Sequence, residues 1–311
     1  MSTNITGISI SSDIVSQKAL CFVLTIQKGD ISIKYDNAIG DDIFISITKY
    51  ASKNSDADLF DDSFVTIDGV IYYTEVTNKP AGLKAVFGCI RSDIEVSLPY
   101  NMPQNIALTI KSENGNIQFT GLNPSMNTWS SANLQTTNGN INVNNVRNDN
   151  KFLSLIFIKD LVGDIVSLVT TNGNINVDTV LTGDVTMTTV NGNVEGDISL
   201  NSTFLGGSSA CSLHASSVNG NLDVDTTVAC TSSKVSMESV NGNVDSTAVG
   251  YSGNFDFEAS NGKVTIGTQS PVTVTYTSNS NSDKEGAITG YESSGTYTLS
   301  TVNGNVKTEF N

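Results

Sequence analysis

Side chains able to do chemistry are scarce in this sequence. It holds one histidine, His214, and four cysteines, Cys21, Cys89, Cys211 and Cys230. Nucleophilic or acid–base catalysis needs an imidazole or carboxylate beside a nucleophile and an orienting partner. His214 stands where Thr, Ser, Asn or Asp fills the other copies of an internal repeat, so it is read as facing solvent. The carboxylate pairs Asp41–Asp42 and Asp61–Asp62 have the composition of a glycosidase site. Adjacent residues on a strand point to opposite faces, however, so both are read as solvated turn charge. The Gly163–Asp164 and Gly183–Asp184 pairs are too sparse for a calcium shell, which needs several carboxylate oxygens. The sequence therefore predicts that the protein is not an enzyme and has no catalytic residue, metal ligand or cofactor.

The cysteines show no CxxC and no metal spacing. Buried free thiols are the ordinary expectation. Cross-linking within or between chains is the alternative in an oxidising compartment, with Cys21, Cys89, Cys211 and Cys230 as the candidates. Cys211 and Cys230 lie nine and twelve residues before the next repeat glycine, which puts them out of register and argues against that pair.

The elements that must carry these residues come from the repeat. Its corners are Asn114–Gly115, Asn138–Gly139, Asn172–Gly173, Asn191–Gly192, Asn219–Gly220, Asn241–Gly242, Asn261–Gly262 and Asn303–Gly304. The period is near 20 residues, with insertions around 144–160 and 201–212 and one coil lacking the motif near 276–290. Seven and five residues before each glycine the side chain is apolar, and between them it is polar, the alternation of a strand with one buried face. Ser or Thr stands three before the glycine in all copies but one, where Ala259 replaces it. Asn follows the glycine in all copies but one, where Lys263 replaces it, and an aliphatic residue then opens the next strand.

Asn-Gly between alternating strands fits a hairpin meander. A solenoid fits better, because only stacking requires like residues at one register in eight copies, with side-chain amides bonding along a column. The predicted fold is all-β: a single-stranded parallel β-solenoid of about 20-residue coils over 106–311, with a less regular β region over 1–105 continuing or capping it.

Residues 94–122, IEVSLPYNMPQNIALTIKSENGNIQFTGL, join a strand ending in Leu-Pro to an NGNI corner. With TTNGNINV, TVNGNVEGDI and SVNGNLDV downstream and KGDISIKY and DDIFISIT upstream, the chain resembles the adhesin family of bacterial β-solenoids over about residues 20–311. The family's corner aspartate is Asn in most copies here, and its frequent preceding membrane segment is missing, so a surface-anchored role does not carry over directly. A fungal protein similar to this family builds octahedral crystals in vacuoles. That resemblance implies ordered self-assembly in a vacuolar lumen, with the cytoplasm as the location otherwise expected.

Asp plus Glu number 31 against 16 Lys plus Arg, a net charge of −15, so nucleic acid is a poor partner. No apolar run approaches a membrane span, and no basic region precedes an apolar stretch as a signal peptide would require, so no membrane insertion is expected. The leading expectation is a structural protein whose partner is itself, forming ordered oligomers or crystals. The last unit, TYTLSTVNGNVKTEFN, is expected to leave that end of the stack uncapped and able to template further strands. Assembly should strengthen as pH falls toward the pI near 4.3. The alternative is an adhesin-like module that binds a surface or a carbohydrate through its polar face.

Overall fold

Alternating apolar and polar side chains make the strands, and the Asn-Gly corners bend each strand into the next. The computed structural model describes residues 2–10, 20–36, 43–51, 60–67, 70–77, 91–99, 106–120, 129–144, 165–201 and 210–311. The chain divides into two compact units, Met1–Lys151 and Phe152–Asn311.

The first unit contains eleven described strands: β1 (Ser2–Ile10), β2 (Leu20–Lys28), β3 (Ile31–Asp36), β4 (Ile43–Ala51), β5 (Phe60–Ile67), β6 (Val70–Thr77), β7 (Arg91–Pro99), β8 (Ile106–Asn114), β9 (Ile117–Thr120), β10 (Trp129–Asn138) and β11 (Ile141–Asn144). They form two sheets, ordered β1-β4-β7-β3-β9-β11 and β5-β6-β2-β8-β10. The coil of β2 and β3 stacks directly on that of β8 and β9, although β4 to β7 lie between them in sequence. Parallel pairing gives way to antiparallel pairing at one end, where β1 meets β4, β4 meets β7 and β5 meets β6.

The second unit contains β12 (Ile165–Asn172), β13 (Ile175–Thr182), β14 (Asp184–Asn191), β15 (Val194–Leu200), β16 (Ala210–Asn219), β17 (Leu222–Val228) and β18 (Ser232–Asn241). These are followed by β19 (Val244–Val249), β20 (Gly253–Ala259), β21 (Val264–Thr268), β22 (Thr273–Asn279), β23 (Asp283–Thr289), β24 (Ser294–Asn303) and β25 (Val306–Phe310). Its sheets run β13-β15-β17-β19-β25-β21 and β12-β14-β16-β18-β24-β20-β23-β22. Equivalent repeat positions pair in parallel and in register, as in Val185↔Leu213, Leu213↔Val235 and Val235↔Tyr297. The fold is the predicted all-β solenoid, with each coil contributing one strand to each sheet.

Two expectations about the end of this stack are corrected. The segment near 276–290 is no coil lacking its motif, because β22 and β23 form an antiparallel hairpin and β23 pairs antiparallel with β20. Nor does the last coil in sequence end the stack: β24 lies between β18 and β20, and β25 between β19 and β21. The coil of β20 and β21 is outermost. It is also the one carrying Ala259 and Lys263, so both exceptions to the repeat fall where no further coil has to be matched.

The core consists of the inward columns. Five residues before the corner glycine stand Leu168, Met187, Ala215, Met237, Leu299 and Phe257, all fully buried. At the outer coils the filling becomes aromatic. Tyr251, Tyr297, Phe255, Phe257 and Phe310 pack there, with Phe257 and Phe310 stacked at 6.1 Å and Tyr251 edge-on to Tyr297 at 5.2 Å. Large rings fill a core end with few side chains, and such contacts add to their area burial. The Tyr297 hydroxyl meets Thr226 Oγ1 at 3.0 Å and Ser246 Oγ at 2.6 Å, so this buried polar tip is satisfied. Burial pushes its pKa up to about 12.

Candidate functional site

Three ladders run through every stack of corners. Where neighbouring corners both carry Asn before the glycine, one donates Nδ2–H to the Oδ1 of the other, as Asn138 to Asn114, Asn219 to Asn191 and Asn303 to Asn241, each at 2.8 Å. Asn114, beside Lys28, instead donates to the backbone carbonyl of Gln27. The Asn after the glycine accepts, through Oδ1, the backbone N–H of the equivalent residue in the next coil. Asn140 bonds Asn116 in this way at 3.0 Å, and Asn243 bonds Asn221 at 2.8 Å. The hydroxyl three before the glycine donates to a glycine carbonyl of the adjoining coil, as Thr136 to Gly115 and Ser239 to Gly220, both at 2.9 Å.

Close approach explains the glycine. A Cβ on Gly220 would lie 1.9 Å from the carbonyl oxygen of Gly192, so no larger residue fits between the coils. The ladder after the glycine also explains why asparagine replaces the resembling family's aspartate. The column needs an acceptor, and an amide supplies one without stacking carboxylates about 4.8 Å apart. Aspartate does occupy the column at Asp30, which accepts the Asn116 N–H at 2.7 Å, and at Asp93, which accepts the Asp30 N–H at 3.0 Å. There Arg91 supplies compensating charge, with Nη2 2.5 Å from Asp93 Oδ2 and 3.8 Å from Asp30 Oδ2.

Beside this corner, on the outer face of the first unit, a groove of about 250 Å³ is lined by Asp30, Ile31, Ser32, Asn116, Gln118, Asn140 and Asn142. Parallel register builds it from two columns. Asp30, Asn116 and Asn140 form the corner column, while Ser32, Gln118 and Asn142 pair across β3, β9 and β11. Glu95 continues the second column opposite Ser32 and is held in an ion pair with Lys34. The polar side chains lining the groove are thus four amides, one hydroxyl and the Asp30 carboxylate, whose Oδ2 lies 3.8 Å from Arg91.

The equivalent column of the second unit begins with Asn176 and turns acidic over the next three coils. Glu195, Asp223 and Asp245 pair in register, followed by Lys307, and Asp197 and Asp225 stand two residues further along their strands. Desolvation, with the neighbouring Asp225, Asp245, Glu195 and Asp197 charges, raises the Asp223 pKa above its ordinary 3.8. No group of three or more His, Cys, Asp or Glu among the described residues is placed to hold a metal ion.

His214 lies between Thr186 and Ser236 in its sheet, half-buried. Asp61 and Asp62 are on β5, while Asp41, Asp42 and Cys89 fall outside the described residues. Cys21 is on β2. The argument against a Cys211–Cys230 pair is overturned: they form a disulfide with Cα atoms 6.2 Å apart. Cys211 pairs with Ser233, so Cys230 is indeed three residues out of register. It precedes β18 in the turn at residues 229–231, however, where counting along a straight strand does not measure distance. Both cysteines are buried, and their separation suits a disulfide.

Sequence reasoning missed the groove because it did not follow the position three after the glycine along the repeat. Reading that column alone separates Gln118 and Asn142 from Glu195, Asp223 and Asp245. Sequence reasoning counted KGDISIKY only through the family resemblance and did not place Gly29 among the corners, yet Gly29 occupies one in the same stack: a Cβ on Gly115 would lie 1.7 Å from its carbonyl oxygen.

The family described as Toastrack DUF4097 matches residues 21–309. Among solved structures, the chain is similar to a candidate adhesin from Parabacteroides distasonis at 9% identity and TM-score 0.41, covering 100% of this chain and 97% of that one. It is similar to a candidate adhesin from Bacteroides fragilis at 9% identity and TM-score 0.35, covering 98% and 97%. A candidate cell adhesion protein from Clostridium sporogenes is similar at 9% identity and TM-score 0.25, with 100% of both chains covered. None of these three likenesses bears on a ligand of this chain. No curated protein matches the chain, and nothing in these comparisons supports identity with the crystal-forming fungal protein.

Proposed function

The chain belongs to the Toastrack DUF4097 family, and on that premise we propose that it is a non-enzymatic, adhesin-like binding module whose solenoid holds polar side chains in fixed rows for a partner. The groove of the first unit is the observation that carries this reading. Its corner column is tied to the backbone by the ladder, so ordering that row costs little entropy on binding. The buried disulfide fits maturation where thiols are oxidised, which is compatible with display outside the cytosol. The test is a screen of the full chain against immobilised glycans, extracellular matrix proteins and cell envelopes. Saturable, stoichiometric binding to one class is expected, and absence of binding across the panel at protein concentrations up to the millimolar range would overturn the proposal.

Ordered self-association is the second reading, favoured by an exposed apolar stripe. Val190, Val218, Val240 and Val302 precede successive corner asparagines and are 37–42% exposed. Valines in one row on an outer face suit lateral contact more than solvent. End-on templating draws less support, because the hairpin of β22 and β23 covers β20 at one end of the second unit. This reading expects oligomers that a Val218→Lys, Val240→Lys double variant disperses.

A further inference from the structure

We infer that the groove bordered by Asp30, Ser32, Asn116, Gln118, Asn140 and Asn142 takes a neutral glycan chain lying along the direction in which the coils stack. This rests on the binding-module reading and narrows it to one ligand class. Hydrogen-bond chemistry is the first argument. A carboxamide both donates and accepts, as does a sugar hydroxyl, so vicinal hydroxyls can be met from both sides by one amide row. Charge is the second. Arg91 is paired with Asp93 and lies 3.8 Å from Asp30, and Lys34 is paired with Glu95, so neither of these two cations is left over for an anionic ligand.

Spacing is the third argument. The two columns repeat once per strand, about 4.8 Å. An extended sugar polymer advances close to one strand spacing per ring and meets an equivalent pair of side chains in each coil. An extended peptide advances about 3.4 Å per residue, so it falls out of step with the rows. The groove's 250 Å³ is below the roughly 300–1,000 Å³ of drug-sized sites, so it takes a short stretch of the chain. With no aromatic platform among its lining residues, it should bind weakly, with a Kd on the order of 1 mM.

The test is a ¹⁵N chemical-shift titration of the full chain with cellobiose, cellotriose and cellohexaose, with hexagalacturonate as the charged counterpart. The expected result is saturable shifts at residues 30–32, 116–118 and 140–142, with affinity rising from cellobiose to cellotriose and little beyond. Gln118 is exposed, so Gln118→Ala should keep the spectrum of the folded protein and weaken binding about fivefold. Absence of shifts with every neutral oligosaccharide, preference for hexagalacturonate, or unchanged affinity in Gln118→Ala would each overturn the inference. If the immobilised panel yields another partner while the oligosaccharides leave the groove unmoved, this inference fails and the binding-module reading stands. If the panel yields none, the binding-module reading fails.

Discussion

At the scale of single residues, the corner glycines and asparagines hold the coils at contact distance. The recurring glycine is required by the carbonyl of the coil beneath it, as the Gly220 geometry shows. Gly220→Ala should therefore cost about 3 kcal/mol through forced displacement of two coils. Gly267 gives the contrast, because a Cβ there meets nothing closer than 3.6 Å. Gly267→Ala should stabilise by about 0.5 kcal/mol, since a strand glycine loses more freedom on folding than alanine. Chemical denaturation of both variants checks the pair. Position and residue type at the corners were legible from eight aligned copies, but the reason for the glycine was not. Contact between coils is a distance between residues about 20 or more apart in sequence, and spacing alone does not give it.

At the scale of elements, like residues stack on like, which helps amides and hinders carboxylates. Asp223 sits between Glu195 and Asp245 in its column, and its folded pKa is raised, chiefly by desolvation. A carboxyl with a raised folded pKa favours the folded state below its unfolded value and loses that contribution as pH rises through the folded value. Asp223→Asn should therefore raise the thermal midpoint at pH 7, with the gain shrinking as pH falls toward and below the ordinary 3.8. Thermal melts of both proteins from pH 7 to pH 3.5 test this. The disulfide acts on the same elements, joining the start of β16 to the turn before β18 across 19 residues. Cys230→Ser should cost about 3 kcal/mol, measurable by denaturation without reductant. The sequence made the strands and their inward faces readable, because alternation is local. It did not make their spatial order readable, since placing β24 between β18 and β20 depends on which coil best ends the core. Ala259, Lys263 and the two phenylalanines of β20 all mark the coil of β20 and β21 as that end.

At the scale of the whole molecule, order in space departs from order along the chain. Deleting residues 294–311 removes an inner coil of the second unit, not its tip. Hydrogen exchange should then show residues 253–268 losing protection while 184–200 keep theirs, because β20 and β21 lie against β24 and β25. Loss confined to the new terminus would contradict the interleaved order. Function remains the larger claim. A net charge of −15 opposes close packing of copies at neutral pH, and polar rows held by ladders suit a separate partner better than a lattice. Static light scattering after size exclusion tests this most directly, at pH 7 over a hundredfold range of concentration, with and without reductant. The account predicts one species near 32.9 kDa throughout. A mass that climbs with concentration would contradict it and return the molecule to the role of a building block.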